Sequence, residues 1–229
     1  MKNITVLVFA IITNLYVSGQ SLNENRNSSW PYLFEEFSPC IILHKDGNVS
    51  KANANFNFLN EKLQFTNRGQ IMDFAEPDDI TKASFNDGSE FLYQEDKFYL
   101  LLNNQGNVIS FYKTIKGNMN DLMEAKGAYG SSTTTAAVKQ QADVDIGGIN
   151  SMDVRMLWDN RSEGKKFRID ENYFFKAGGL NNIISLKKNN LLNAFPRHKK
   201  MIRDYLKEEK ISLRNDSDIK KLADYINSL

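Results

Sequence analysis

Histidine and cysteine are the side chains most able to do chemistry near neutral pH, and this chain has only His44, His198 and Cys40. The histidines stand 154 residues apart. A structural zinc site wants four nitrogen or sulfur ligands in close pairs, so the zinc reading fails on ligand supply. Cys40 sits in the apolar run Cys40-Ile41-Ile42-Leu43, which predicts a buried thiol. A nucleophilic cysteine would need a base beside it, and nothing in the spacing places His44 or His198 there. Calcium has a slightly better case. Asp143 and Asp145 alternate around Val144 and precede Gly147-Gly148, and oxygen ligands at alternate positions near glycine can hold a hard cation. The calcium-loop pattern with its terminal glutamate is missing, so an alternating strand edge is the simpler reading.

The remaining candidates are weaker. Glu76, Asp78, Glu90 and Asp96 could supply paired carboxylates for glycoside hydrolysis. All four fall at turns or strand ends, where acids serve solubility, and no pair stands out. Ser131 and Ser132 follow Gly130 without a G-x-S-x-G elbow. Gly178-Gly179 lacks the helix and lysine of a phosphate loop. Arg197, His198, Lys199, Lys200 and Arg203 form a basic row balanced by Asp204, Glu208 and Glu209, which reads as a solvated helix face. Trp30, Tyr32, Trp158, Tyr173 and Phe174 could stack on sugars, but aromatics more often supply packing area. No catalytic, metal or cofactor residue is assigned on these grounds.

The elements that would position such residues divide the chain. Residues 1–19 carry Lys2, an apolar stretch from Ile4 to about Tyr16, and Val17 and Gly19 at signal-peptidase spacing. This is the pattern of a signal peptide cut before Gln20. It predicts an exported protein, periplasmic or extracellular. There is no lipidation cysteine at the cut and no later transmembrane segment. The whole chain has 29 basic and 28 acidic residues. Losing Lys2 leaves 28 of each, which gives no reason to expect nucleic acid as a partner. A lone cysteine forms no intrachain disulfide, and a chain of this length can bury a core without one.

Residues 20–38 read as a polar leader followed by an aromatic edge segment. A β-rich domain is expected over 39–186, with a long loop at 116–150. Within 39–115, short apolar runs alternate with turn chemistry such as Asp46-Gly47, Asn67-Arg68-Gly69 and Asn86-Asp87-Gly88. Ala52, Ala54, Phe56 and Phe58 alternate with Lys51, Asn53, Asn55 and Asn57, which predicts one apolar face and an amide-rich face in water. Phe98 to Leu102 and Val108 to Tyr112 are continuously apolar and read as central strands. Residues 187–229 read as helices packing on the same domain. Met201, Ile202, Tyr205 and Leu206 form one stripe, and Ile219, Leu222, Ala223 and Ile226 form another after a start signal at Asn215-Asp216-Ser217. The fold class is α+β: an antiparallel β meander, as a twisted sheet or partly rolled barrel, with a C-terminal α-hairpin.

PYLFEEF followed by an apolar strand and KDG, the central KGAYGSS, and the closing LLNAFPRHKK…IRDYLKEEKISLRNDSDIKKLADYIN carry a resemblance. The chain resembles an uncharacterised group of exported β-rich proteins from Bacteroidota-type bacteria. The resemblance implies an envelope location and carries over no site residue. Together these features favour a non-enzymatic secreted or envelope-associated interaction module, with another envelope protein or a glycan as partner. The alternatives are a small-ligand or glycan-binding β domain and a hydrolase with an unrecognised site.

Overall fold

The computed structural model describes residues 31–74, 76–103, 108–118, 168–178 and 182–229. The expected signal at 1–19, Trp30, Trp158, Asp143, Asp145 and the 119–150 part of the expected loop lie outside the described residues. Ten strands form one antiparallel sheet: β1 (Ser38–His44), β2 (Val49–Asn57), β3 (Lys62–Asn67), β4 (Gln70–Asp73), β5 (Ile80–Phe85), β6 (Glu90–Gln94), β7 (Lys97–Leu101), β8 (Ile109–Gly117), β9 (Ile169–Ala177) and β10 (Ile184–Ser185). The spatial order is β10-β9-β8-β7-β6-β5-β1-β2-β3-β4. Among the described residues the sheet is therefore open, with β10 and β4 at its two ends, and the rolled-barrel alternative falls away. It is a meander in two arms. β1 lies inside the sheet, and a connection containing a 3-10 turn (Pro77–Asp79) carries the chain from the β4 edge back to β5 on the other side of β1.

The turns follow from residue type. Arg68 and Gly69 both take positive φ between β3 and β4, as a two-residue hairpin requires. β7 and β8, read from their continuous apolar runs, are indeed interior strands.

Cross-strand pairing fixes which side chains share a face. Ser50, Ile42, Ala83, Phe91, Leu100, Lys113 and Tyr173 stand opposite one another in successive strands, from β2 across to β9. This row lies on the core side. One cluster on it gathers Ile42, Ala54, Phe56, Leu63, Ile80, Phe91 and Phe98. A second gathers Ile109, Phe111 and Phe175 under three helices: α1 (Lys188–Ala194), α2 (Lys199–Glu208) and α3 (Asp216–Asn227). The expected α-hairpin is α2 and α3, and the short helical turn expected near Leu191 is a full helix that buries Leu191 and Leu192.

The α3 stripe is as the spacing predicts, with Ile219, Leu222, Ala223 and Ile226 all buried. On α2 only Ile202 and Leu206 are buried, and Met201 turns to solvent. Asn215 caps α3 by accepting from the Asp218 N–H at 3.1 Å. At the far end Asn227 Oδ1 accepts from the Val108 and Ile109 N–H groups, both at 3.1 Å. The helix is thereby tied at that end to the start of β8.

The amide-rich face of β2 is not in water throughout. Asn53 is exposed, but Asn55 is 1% and Asn57 4% exposed. The segment before β1 causes this. Tyr32 bridges to Asn57, and the chain between Phe34 and Phe37 bulges before β1 resumes the pairing. Asn55 Oδ1 accepts from the Phe34 and Phe56 N–H groups at 3.1 and 2.8 Å, and its Nδ2 donates to the Phe34 and Glu36 carbonyls at 2.9 and 3.1 Å. All four hydrogen-bonding positions of the amide are used, which is what lets it be buried. The aromatic edge segment is thus part of the domain, with Phe34 against Phe85 at 4.8 Å between ring centroids.

Candidate functional site

Two polar constellations and one exposed apolar surface stand out among the described residues.

The first constellation lies where the two cores meet. Lys113 occupies a core-row position between Phe111 and Ile115, and its side chain is 8% exposed. An ammonium there must be paired. Its Nζ donates to Glu171 Oε1 at 2.8 Å and to Asp216 Oδ2 at 2.7 Å. Tyr173, opposite Lys113 on β9, shares its one hydroxyl proton between the same two carboxylates, its oxygen 2.9 Å from Glu171 Oε2 and 3.0 Å from Asp216 Oδ1. Asp216 is the first residue of α3, where the helix dipole favours a negative charge. Burial pulls the Lys113 pKa down, but the hydrogen bonds and charges of Asp216 and Glu171 outweigh it, and the net shift is upward. Burial first, and then the same two carboxylates, push the Tyr173 hydroxyl up as well. A lysine held protonated is no nucleophile or base. The four groups satisfy one another, and the cluster reads as the clamp that docks the start of α3 on β8 and β9.

The second constellation lies at the rim of the first core. His44 ends β1, Ser50 lies near the start of β2, and Asp79 closes the 3-10 turn before β5. The imidazole spans them, with Nδ1 3.0 Å from Asp79 Oδ2 and Nε2 2.8 Å from Ser50 Oγ. The Lys45 N–H donates to the Asp79 carbonyl at 2.8 Å, which pins the turn to the hairpin.

The exposed surface is the opposite side of β1 and β2. Ile41 pairs with Lys51, and Leu43 with Val49, so all four share the face away from the core. Ile41 is 46% and Val49 60% exposed. Ile71 on β4, 42% exposed, faces the same way through its pairing with Thr66, which itself pairs with Asn53. Lys51 and Lys82 lie beside this apolar row.

The other residues singled out by type fare as follows. Cys40 is buried, and burial pushes its thiol from the ordinary 9.0 up to about 12. That is an inert core thiol, as the run around it predicts. His198 precedes α2, and its buried Nδ1 has no hydrogen-bond partner among the described residues. Arg197, Lys200 and Arg203 are exposed, as a solvated face requires. Asp78 accepts from the Tyr93 hydroxyl at 2.8 Å, and Glu90 from Lys82 at 2.9 Å and Ser84 at 3.1 Å, so these acids are structural partners. Tyr32, Tyr173 and Phe174 are half-buried and engaged, so none offers an open stacking face. Among the described residues no three His, Cys, Asp or Glu side chains converge as metal ligands, and no helix is long and apolar enough to cross a membrane.

Lys113 and Ser50 escape a motif search. A lysine at an apolar register, Phe111-Tyr112-Lys113-Thr114-Ile115, is the one signal that could have flagged the clamp.

The shifts have a consequence at high pH. Burial raises Cys40 and Tyr32 to about 12 each, and Tyr173, Tyr99 and Tyr112 move up for the same leading reason. Each group holds its proton more tightly folded than unfolded. Its contribution is complete below the unfolded value and is lost as pH rises toward the folded one. The unfolding free energy from urea denaturation is expected to be level around pH 7 to 8 and to fall steeply above about pH 9, by up to about 1.4 kcal/mol per group and pH unit, and the midpoint falls with it. A midpoint unchanged at pH 11 would contradict this burial pattern.

Fold and sites together define an α+β protein: an open ten-stranded antiparallel sheet with a C-terminal layer of three helices on its core side. Comparison with protein-family models, curated proteins and solved structures finds no significant match.

Proposed function

We propose that the mature chain is an exported, envelope-associated interaction module that works by contact rather than by turning over a substrate. The observation that carries this is the apolar row on the outer face of β1 and β2, exposed at Ile41 and Val49 and half-buried at Leu43, with exposed Ile71 toward β4, which no other described segment covers. The domain buries Ile42 between Ile41 and Leu43, so the two-residue alternation of the strand turns these side chains outward. Contiguous exposed apolar side chains rimmed by charge mark protein contact surfaces. The β4 edge adds to this. In its two-residue hairpin the main-chain groups of Ile71 and Asp73 point away from β3, and no other described strand pairs with them, so they can take an extended segment. The export pattern of residues 1–19 and the basic-acidic balance support another envelope protein as the partner.

The test is retention by envelope extract of the wild type and of Ile41→Asp/Val49→Asp, at matched thermal midpoints. Both changes are on the exposed face, so stability is expected to move by no more than about 0.5 kcal/mol. Species retained by the wild type should be lost from the variant. Identical sets from the two proteins would remove this surface from the function.

A further inference from the structure

The Asp79–His44–Ser50 relay has the connectivity that makes a serine nucleophilic. A serine hydroxyl is a poor nucleophile until an adjacent base can take its proton. Imidazole does so from Nε2 when its Nδ1–H is donated to a carboxylate, which sets the tautomer and stabilises the imidazolium that forms. Here the carboxylate is on Nδ1 and the hydroxyl on Nε2, at 3.0 and 2.8 Å. The parts come from the β1–β2 hairpin and the 3-10 turn before β5, and both main chains are held independently of the relay. The His44 N–H donates to the Asn48 carbonyl at 2.9 Å, and the Lys45 N–H holds Asp79. Exposure is graded in the useful direction. The His44 side chain is 21% exposed, whereas Ser50 is an exposed residue.

We propose that Ser50 is a nucleophilic acylation site that takes the acyl group of a small activated ester. Ser50 Oγ attacks the carbonyl carbon while its proton passes to His44 Nε2. The carbon–oxygen bond to the leaving alkoxide or phenoxide breaks, and His44 returns the proton to that oxygen. The products are an O-acyl serine and the free alcohol, and no redox partner or metal is required. Ser50 is the nucleophile, His44 the base, and Asp79 a positioning residue that acts through His44. The inference does not depend on the contact role above, because Ile41, Leu43 and Val49 lie on the other face of the same two strands.

The full chain is treated with p-nitrophenyl acetate and its peptides are read by mass spectrometry. One acetyl group is expected on Ser50, well ahead of the exposed Ser217 and Ser228, and Ser50→Ala should abolish it. His44→Gln and Asp79→Asn should each slow acetylation at position 50 by about 100-fold or more. Surface lysines in the same samples should be acetylated equally, which controls for reagent, and matched thermal midpoints across the variants separate loss of the relay from loss of the fold. Should His44→Gln fail to fold, Asp79→Asn carries the same comparison. Acetylation of Ser50 no faster than of Ser217, or at an unchanged rate in either relay variant, would overturn the proposal.

Discussion

Phe56→Ala is expected to cost about 3–5 kcal/mol of folding stability, the range for removing a fully buried aromatic ring. Phe56 is enclosed in the first core. Its ring stacks on Phe91 with centroids 5.1 Å apart and meets Phe98 edge-on at 6.2 Å. Leu63 stands opposite it on β3. The walls of the hole are strand residues held by main-chain hydrogen bonds on both sides, so little collapse can fill it. Domains of this kind have about 5–15 kcal/mol in total, and the variant should be close to unfolding. Urea denaturation gives the number. Phe65→Ala, at a half-buried position beside the edge, is the matched control and should cost clearly less. Equal costs would mean that the first core is not centred on β2.

Lys113→Met is the second large effect, at about 2–3 kcal/mol. Breaking a buried ion pair by removing one partner costs about 3–5 kcal/mol, because a charge is left unpaired. The lower figure applies here because Glu171 and Asp216 are 30% and 41% exposed and regain water. What remains is two carboxylates and a tyrosine hydroxyl arranged around a cation that is gone. The start of α3 should loosen first, seen as faster amide exchange over its first turn than over Ile226. Adding Glu171→Gln and Asp216→Asn removes the stranded charges and should recover at least half of the loss. A neutral Lys113→Met would show that an apolar contact serves this register equally well, and that the clamp contributes nothing to docking α3.

Both variants rest on features that differ in how plainly the residues announce them. The β2 alternation through Phe56 and Phe58 and the α3 stripe through Ile226 are local signals. Each needs only the period of its own element to say which side is apolar. The start of α3 at Asn215 is local too, because a cap is a contact between residues three apart. The same alternation says nothing about what covers the second face. Asn53, Asn55 and Asn57 are indistinguishable in pattern, yet the aromatic segment before β1 buries two of them and leaves the first in water. That cover depends on a bulge and a return of the chain twenty residues away, beyond the reach of any period.

The sites show the same division more sharply. Cys40 is a buried thiol by its neighbours alone, and the structure agrees. His44 had no visible partner, because Asp79 reaches it only when the chain crosses from the β4 edge to pair β5 with β1. Lys113 lies more than a hundred residues before Asp216, and only the docking of α3 antiparallel to β8 brings the charges together. The sequence by itself determined the fold class, the apolar faces of β2 and α3 and the scarcity of chemical side chains, since these are set by period and composition. The tertiary structure alone decided which polar groups meet, because long-range strand order and helix docking are chosen by the summed burial of two cores rather than by any local preference.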